Sequence, residues 1–222
     1  MAERPIFVPD QHAPGLVREI PFTIPWAGGF GTGQKQENIK ALHAAAAKPG
    51  FSKLLEISTK SETELGRRLS AFSLTFHSVT LGDIPLECAY QGSKVFEHGG
   101  PYTDLYRVDA RIAKRDPRLK ASGRLIFFRF EGFDFPSEPK TLFYDWLYIN
   151  TLLPDRERLQ RLDRYDGFTD IEFNPARSLN CQARSCAMFV SLMLLDLLDD
   201  KLRAPKKFIA MMQDRAFRPA AS

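Results

Sequence analysis

Ile84-Pro85-Leu86-Glu87-Cys88-Ala89-Tyr90-Gln91-Gly92-Ser93-Lys94-Val95-Phe96 is the stretch on which the reading of this chain turns. A proline ahead of an apolar-periodic run marks a helix start, because its ring presets φ and its missing N–H would have no intrahelical partner there. Leu86, Ala89, Tyr90, Ser93 and Phe96 recur at three- and four-residue steps and share one face. Glu87, Gln91 and Lys94 recur at i, i+4 and i+7 and share another. At 1.5 Å of rise per residue, the first and last of these stand roughly 10 Å apart along the axis, too far for an ordinary i,i+4 ion pair. A carboxylate, an amide and an ammonium in one row suit either a polar cleft or a plain solvated face, and spacing alone leaves both open. Gly99-Gly100-Pro101 predicts the helix stop, since glycine permits the left-handed cap and proline forbids continuation.

Outward from that helix, Phe72 to Leu81 reads as extended before the Gly82-Asp83 turn. Ser61-Glu62-Thr63-Glu64 has the form of a capping box opening a short helix to about Leu69. Lys53–Ser58 predicts a short strand and Gln34–Ala47 a helix, while residues 1–33, rich in Pro and Gly, read as an extended, loop-like arm. Downstream, Tyr102–Arg115 reads as a helix and Leu125–Phe130 as the clearest strand, bounded by Gly123 and Gly132. Thr141–Leu153 is apolar on nearly all sides, which argues a helix buried in the middle of the domain. Ser178–Asp199 predicts a long helix with Ser178 as its N-cap. The expected architecture is α+β, predominantly helical, with a few short strands: the arm over 1–33, one main domain over 34–203, and a short helix with a frayed tail over 204–222.

Composition narrows the function without naming it. At 222 residues and 44% apolar, the chain is long enough to bury a sizeable core and shows no sign of disorder over its bulk. Lys plus Arg exceed Asp plus Glu by 31 to 27, a mild excess that fits an anionic ligand but gives no basic stripe for plain DNA binding. No secretory signal stands at the N-terminus, and the most apolar run, Ala187–Leu198, is too short to span a bilayer. Three cysteines without framework spacing fit a reducing cytosol, and four scattered histidines give no zinc spacing. A cytoplasmic protein with no bound metal is expected.

Glu87-x-x-Tyr90-Gln91-x-x-Lys94 resembles the signature helix of the NADAR (YbiA-like) family, usually Glu-His-Tyr-Phe-Gln-Ala-x-Lys-Phe. Leu69-Ser70-Ala71-Phe72 before it and Gly99-Gly100-Pro101-Tyr102-x-Asp104-Leu105-Tyr106 after it are similar to the branch of antitoxins paired with DarT-type DNA ADP-ribosyltransferase toxins. The resemblance covers about residues 55 to 200. It implies a single NADAR-like domain that hydrolyses ADP-ribose from guanine, with the toxin as functional partner and no redox cofactor. Two alternatives stay open. One is an antitoxin that only binds ADP-ribose or the toxin; the other is a YbiA-like N-glycosidase acting on a ribosyl intermediate of riboflavin synthesis.

Cleaving an N-glycosidic bond passes through a sugar with oxocarbenium character, so it needs a carboxylate near the anomeric carbon and help for the departing base. Glu87 is the leading candidate: it matches the family glutamate, and a helix N-terminus favours its charged form. The resemblance also implies substrate-binding roles for Lys94 on a phosphate or ribose hydroxyl, Gln91 on ribose, Trp146 stacked on the base, and Asn180 on ribose. Arg67, ahead of Leu69-Ser70-Ala71-Phe72, is a candidate for the pyrophosphate. The second catalytic acid is best matched by Asp170, although Ile171-Glu172-Phe173-Asn174 replaces the family's Tyr-Trp-Gly there, so Glu172 and Asp145 remain alternatives. Cys88 stands where most relatives carry histidine. Whether DNA or RNA is the better substrate, and which guanine atom is modified, are left open.

Overall fold

The computed structural model describes residues 1–216 apart from positions 30, 177 and 179. Its first strand shows how the layers arise. In β1 (Ala2–Pro9) period-two alternation sends Ile6 and Val8 to one side and Phe7 to the other, all three buried. β2 (Val17–Ile24) pairs antiparallel along its full length, with Ile6 opposite Ile20. The expected loop-like arm over 1–33 is thus corrected: most of it is a hairpin built into the fold. Its prolines are tolerated because β2 is an edge strand and β1 meets its other neighbour at Phe7 alone.

Helix α1 (Thr32–Ala47) lays Ile39, Leu42 and Ala46 on the Ile6–Val8 side of this sheet. β3 (Leu54–Glu56) follows, then α2 (Glu64–Arg68). Thr63, not Ser61, caps α2, its hydroxyl accepting from the Gly66 N–H at 3.1 Å. β4 (Thr75–Ser78) and β5 (Gly82–Pro85) form a hairpin that delivers the chain into α3 (Leu86–Gly92), the helix the sequence singled out.

That helix is shorter than expected. Ser93 turns its hydroxyl back to the Ala89 carbonyl at 2.6 Å, its own carbonyl accepts from the Arg129 N–H, and Lys94 opens strand β6 (Lys94–Phe96). Sheet pairing wins over helix continuation because Lys94, Val95 and Phe96 find a partner in the Leu125–Phe130 stretch. Gly92 is needed at this junction, since a Cβ there would lie 2.6 Å from the Tyr106 ring.

The stretch expected as a single helix over 102–115 is a 3-10 turn, Thr103–Arg107, followed by α4 (Ala110–Arg115) capped by Asp109. After α5 (Arg118–Ala121), β7 (Leu125–Phe130) and β8 (Phe133–Pro136) complete a three-stranded sheet with β6. α6 (Leu142–Leu152) is the buried central helix. Phe143 on it meets Phe128 and Phe135 at 4.8 Å each, fixing the sheet against the helix. β9 (Gly167–Thr169) pairs parallel with β3 and touches β1, closing a four-stranded sheet of order β2-β1-β9-β3. α7 (Gln182–Leu194) begins four residues later than expected, with Cys181 rather than Ser178 at its N-cap. α8 (Pro205–Ala216) ends the described chain, and the expected frayed tail lies outside the described residues.

Among the described residues, nine strands in three sheets share the frame with the helices, so the fold is a mixed α+β domain. The expectation of a predominantly helical one underweighted the strands. They are short and two-faced, and a three-residue strand such as β3, β6 or β9 carries too few positions to show a period. Among the described residues no helix is long and apolar enough to cross a membrane.

Candidate active site

β3 and β9 run parallel, so the segments leaving their carboxyl ends emerge together. Thr59 and Lys60 follow the first, and Asp170 and Glu172 the second; across from them stands α3. Between these elements, α4 and the start of α7 lies a cleft of about 780 Å³, within the range of roughly 300–1,000 Å³ usual for small-molecule sites.

On the α3 side the sequence row survives although the helix does not. Glu87 Oε1 accepts from Gln91 Nε2 at 2.8 Å, and Gln91 Oε1 accepts from Lys94 Nζ at 2.6 Å. Lys94 rises from β6 and still reaches the row, its ammonium 4.5 Å over the Tyr90 ring. Glu87 and Gln91 are buried, and all three residues line the cleft. Burial pulls the Lys94 ammonium down to about 8, with Glu87 acting in the opposite direction and Lys114 in the same one. Cys88, in the family's histidine position, points away, giving its thiol hydrogen to the Val108 carbonyl; burial holds that thiol up at about 11.

On the opposite wall Asp170 is buried beside Cys181 and Gln182. Its carboxyl is pushed up to about 8, first by burial and then by the neighbouring Glu56 carboxyl, against hydrogen bonds from the Glu172 N–H and Gln182. A carboxyl in that state holds a proton at neutral pH. Of the other two acids considered, Glu172 is exposed at the cleft edge near Thr59. Asp145 is outside the cleft, paired with Arg184 and Ser185 at 2.6 Å each. Glu87 and Asp170 are thus the two buried carboxyls that the fold brings to one cavity.

Asn180 also lines the cleft, its Nδ2 bound to the Tyr90 hydroxyl and its Oδ1 buried without a hydrogen-bond partner among the described residues. It lies ahead of α7 rather than within that helix.

Two expected binding residues are elsewhere. Trp146 is in the core, packed on Phe76 and Phe135 and donating its indole N–H to the Leu202 carbonyl at 3.1 Å. Tyr144 lines the cleft in its place, because two helical steps rotate a side chain about 200°. Trp146→Phe is expected to lower stability by roughly 1 kcal/mol through the lost hydrogen bond and to leave ligand affinity unchanged. Thermal melts beside ADP-ribose titrations would show this, and weakened binding would return Trp146 to the site. Arg67 is the second correction: its guanidinium holds the Ser61 and Glu62 carbonyls, tying down a loop.

Besides Lys94, the cations at the cleft are Lys60, Arg111, Lys114 and Arg115. Lys114 lies 5.0 Å over the Phe72 ring and 4.0 Å from Glu87, and neither arginine has an ion-pair partner among the described residues. Positions 111, 114 and 115 fall at i, i+3 and i+4 of α4, a spacing visible in the sequence once that helix is separated from the turn before it. Phe72, Phe96, Leu119 and Leu125 add an apolar side. The arrangement suits a ligand with anionic groups at the rim, hydroxyls near an unpartnered acceptor, and a reacting centre between a carboxylate and a carboxylic acid.

Compared with known proteins, the sequence model of a family described as DarT1-associated NADAR antitoxins matches residues 2–222, well beyond the 55–200 stretch of the resemblance and including the N-terminal hairpin. No curated protein matches the chain.

Proposed function

The chain belongs to the DarT1-associated NADAR antitoxin family, and from that premise we propose that it is an ADP-ribosyl glycohydrolase releasing ADP-ribose from modified guanine in DNA. The observation that carries this reading is the pairing of Glu87 and Asp170 as buried carboxyls of one cleft, in surroundings that treat them differently. Glu87 has an amide donor and a nearby ammonium, which suit a carboxylate. Asp170 lies beside another acid, which suits a carboxylic acid. A protonated acid facing a second carboxyl group across one cleft is what acid-assisted glycoside cleavage requires.

In this mechanism Asp170 gives its proton to the guanine nitrogen as the bond to the anomeric carbon breaks. Glu87 stabilises the oxocarbenium ion and orients the attacking water, whose proton it takes as the new C–O bond forms. Lys94 and the α4 cations hold the pyrophosphate, and Asn180 Oδ1 accepts from a ribose hydroxyl. Tyr90 and Tyr144, whose rings meet edge-on at 5.2 Å, wall the sugar. Arg111→Ala and Arg115→Ala are each expected to weaken ADP-ribose binding by roughly 10-fold, the loss shrinking at high salt. Calorimetry at two salt concentrations checks this, and unchanged affinity in both variants would remove α4 from the phosphate site.

Incubation with an oligonucleotide carrying ADP-ribosylated guanine should liberate free ADP-ribose and unmodified guanine, read by mass spectrometry. Tight binding of that oligonucleotide or of the toxin with no release would replace the hydrolase by a neutralising binder. A second reading rests on Lys94. With its ammonium at about 8, roughly a tenth of the amine is neutral at pH 7, enough to act as nucleophile at the anomeric carbon. The Lys94–carbon bond would then form as the bond to guanine breaks, the amine losing a proton to Glu87. The glycosylamine would open to an imine as the ring oxygen takes a proton, and water would later free the sugar by hydrolysing that imine. Borohydride trapping of a covalent adduct at Lys94 distinguishes the two routes.

A further inference from the structure

Glu56, the last residue of β3, is buried and carries a carboxyl that the mechanism above does not use. Its Oε2 accepts from Thr169 Oγ1 at 2.6 Å, and its Oε1 accepts from the Ile171 N–H at 2.9 Å. These partners flank Asp170 on both sides. Thr169 is also 3.0 Å from His43 Nε2, on α1. Burial holds His43 down at about 4, so at neutral pH its ring is uncharged. Glu56 thus grips the residues before and after the cleft acid.

We propose that Glu56 is a positioning residue for Asp170: it fixes the turn that carries that side chain and, as a second buried carboxyl beside it, obliges Asp170 to keep its proton. The inference rests on the reading of Asp170 as the acid of the cleft. Two acids this close and this buried share one charge more readily than they hold two. Burial raises both carboxyls, but three donors offset it at Glu56, the Ser58 and Thr169 hydroxyls and the Ile171 N–H, against the Glu172 N–H and Gln182 at Asp170, so Glu56 is the better place for that charge. The other groups facing Asp170 are Arg4 on β1, Glu172 on the same turn, Tyr144 on α6 and Cys181 ahead of α7. Only Arg4 among them carries a positive charge, and its guanidinium is itself partly desolvated.

The test is a substrate-free titration of the Asp170 carboxyl carbon by NMR in the full chain, with Asp170→Asn supplying the assignment. In Glu56→Gln, which keeps the shape and removes the second acid, the Asp170 midpoint should fall by at least about one pH unit. The basic limb of the pH–rate profile should move down with it. A midpoint that stays in place while only the melting temperature drops would make Glu56 a structural residue and overturn the proposal. Should Glu56→Gln fail to fold, Thr169→Val decides. Removing one donor to Glu56 raises that carboxyl's hold on the shared proton, so the Asp170 midpoint should again fall, and an unmoved midpoint refutes the idea. Because the titration needs no turnover, a shifted midpoint in a protein that releases no ADP-ribose would reject the hydrolase reading and leave the coupling of the two acids standing.

Discussion

Replacing Glu87 by glutamine is expected to slow ADP-ribose release by about 10²–10⁴-fold while leaving the affinity for ADP-ribose nearly unchanged. The side chain is buried at the α3 wall, so an isosteric amide keeps the packing, and a rotated amide can still accept from Gln91 Nε2. In the proposed mechanism, what disappears is the group that stabilises the oxocarbenium ion and takes a proton from water. Those roles matter in the transition state more than in the ground state, so the loss should appear in kcat rather than in KM. Lys114, 4.0 Å from the carboxylate, also loses a counter-charge at the cleft mouth. Single-turnover release assays alongside calorimetry would measure both quantities. Growth protection by the variant against an active toxin gives a second reading. Full protection with wild-type release would move the chemistry elsewhere, and full protection without release would favour neutralisation by binding.

Asp170→Asn carries the second large effect, and it acts in two opposite directions. Release near neutral pH should fall by about 10²-fold or more, because amide nitrogen cannot donate a proton to the departing base. Stability, in contrast, should rise. The Asp170 carboxyl is raised in the folded state from the ordinary aspartate range to about 8. Its stabilising contribution is therefore complete below about pH 4 and is lost as pH climbs through 8. Asparagine has no such dependence. The variant's melting temperature should thus exceed that of the native protein by an amount that grows between about pH 4 and 8. By pH 8 the pH-dependent part of that gain should reach several kcal/mol, on the order of 1.4 kcal/mol for each pH unit between the unfolded and folded midpoints. Melting curves across that range, paired with release assays, test both halves. A stability difference from the native protein that does not grow between about pH 4 and 8 would show that the Asp170 carboxyl is not raised and would remove it from the proton-donor role.

The Glu87–Gln91–Lys94 row was legible because i, i+4 and i+7 positions align on any helix. It held even though β6 takes over at Lys94, since one residue of strand places that ammonium beside the last helical turn. Leu125–Phe130 and the buried helix α6 were readable for a simpler reason: long apolar runs have few ways to be buried. The N-terminal hairpin was obscured by its prolines and glycines, which count as loop signals until the alternation of Ile6, Phe7 and Val8 is given more weight. The family resemblance implies Trp146 at the base, yet its helical phase places it in the core and Tyr144 in the cleft.

By itself, the sequence put Glu87, Gln91 and Lys94 in one row beside Tyr90 and left the second acid among Asp170, Glu172 and Asp145. Local spacing suffices for the row, because neighbours along a helix remain neighbours in space. That the helix stops at Gly92 and Lys94 opens β6 came from strand pairing. Only the tertiary structure decided which acid faces Glu87, that α4 rather than Arg67 supplies the cations, and that Glu56 stands behind Asp170. Each of those joins segments more than twenty residues apart, beyond the reach of local spacing. The parallel pairing of β3 with β9, set by packing against α1 and α7, brings them together.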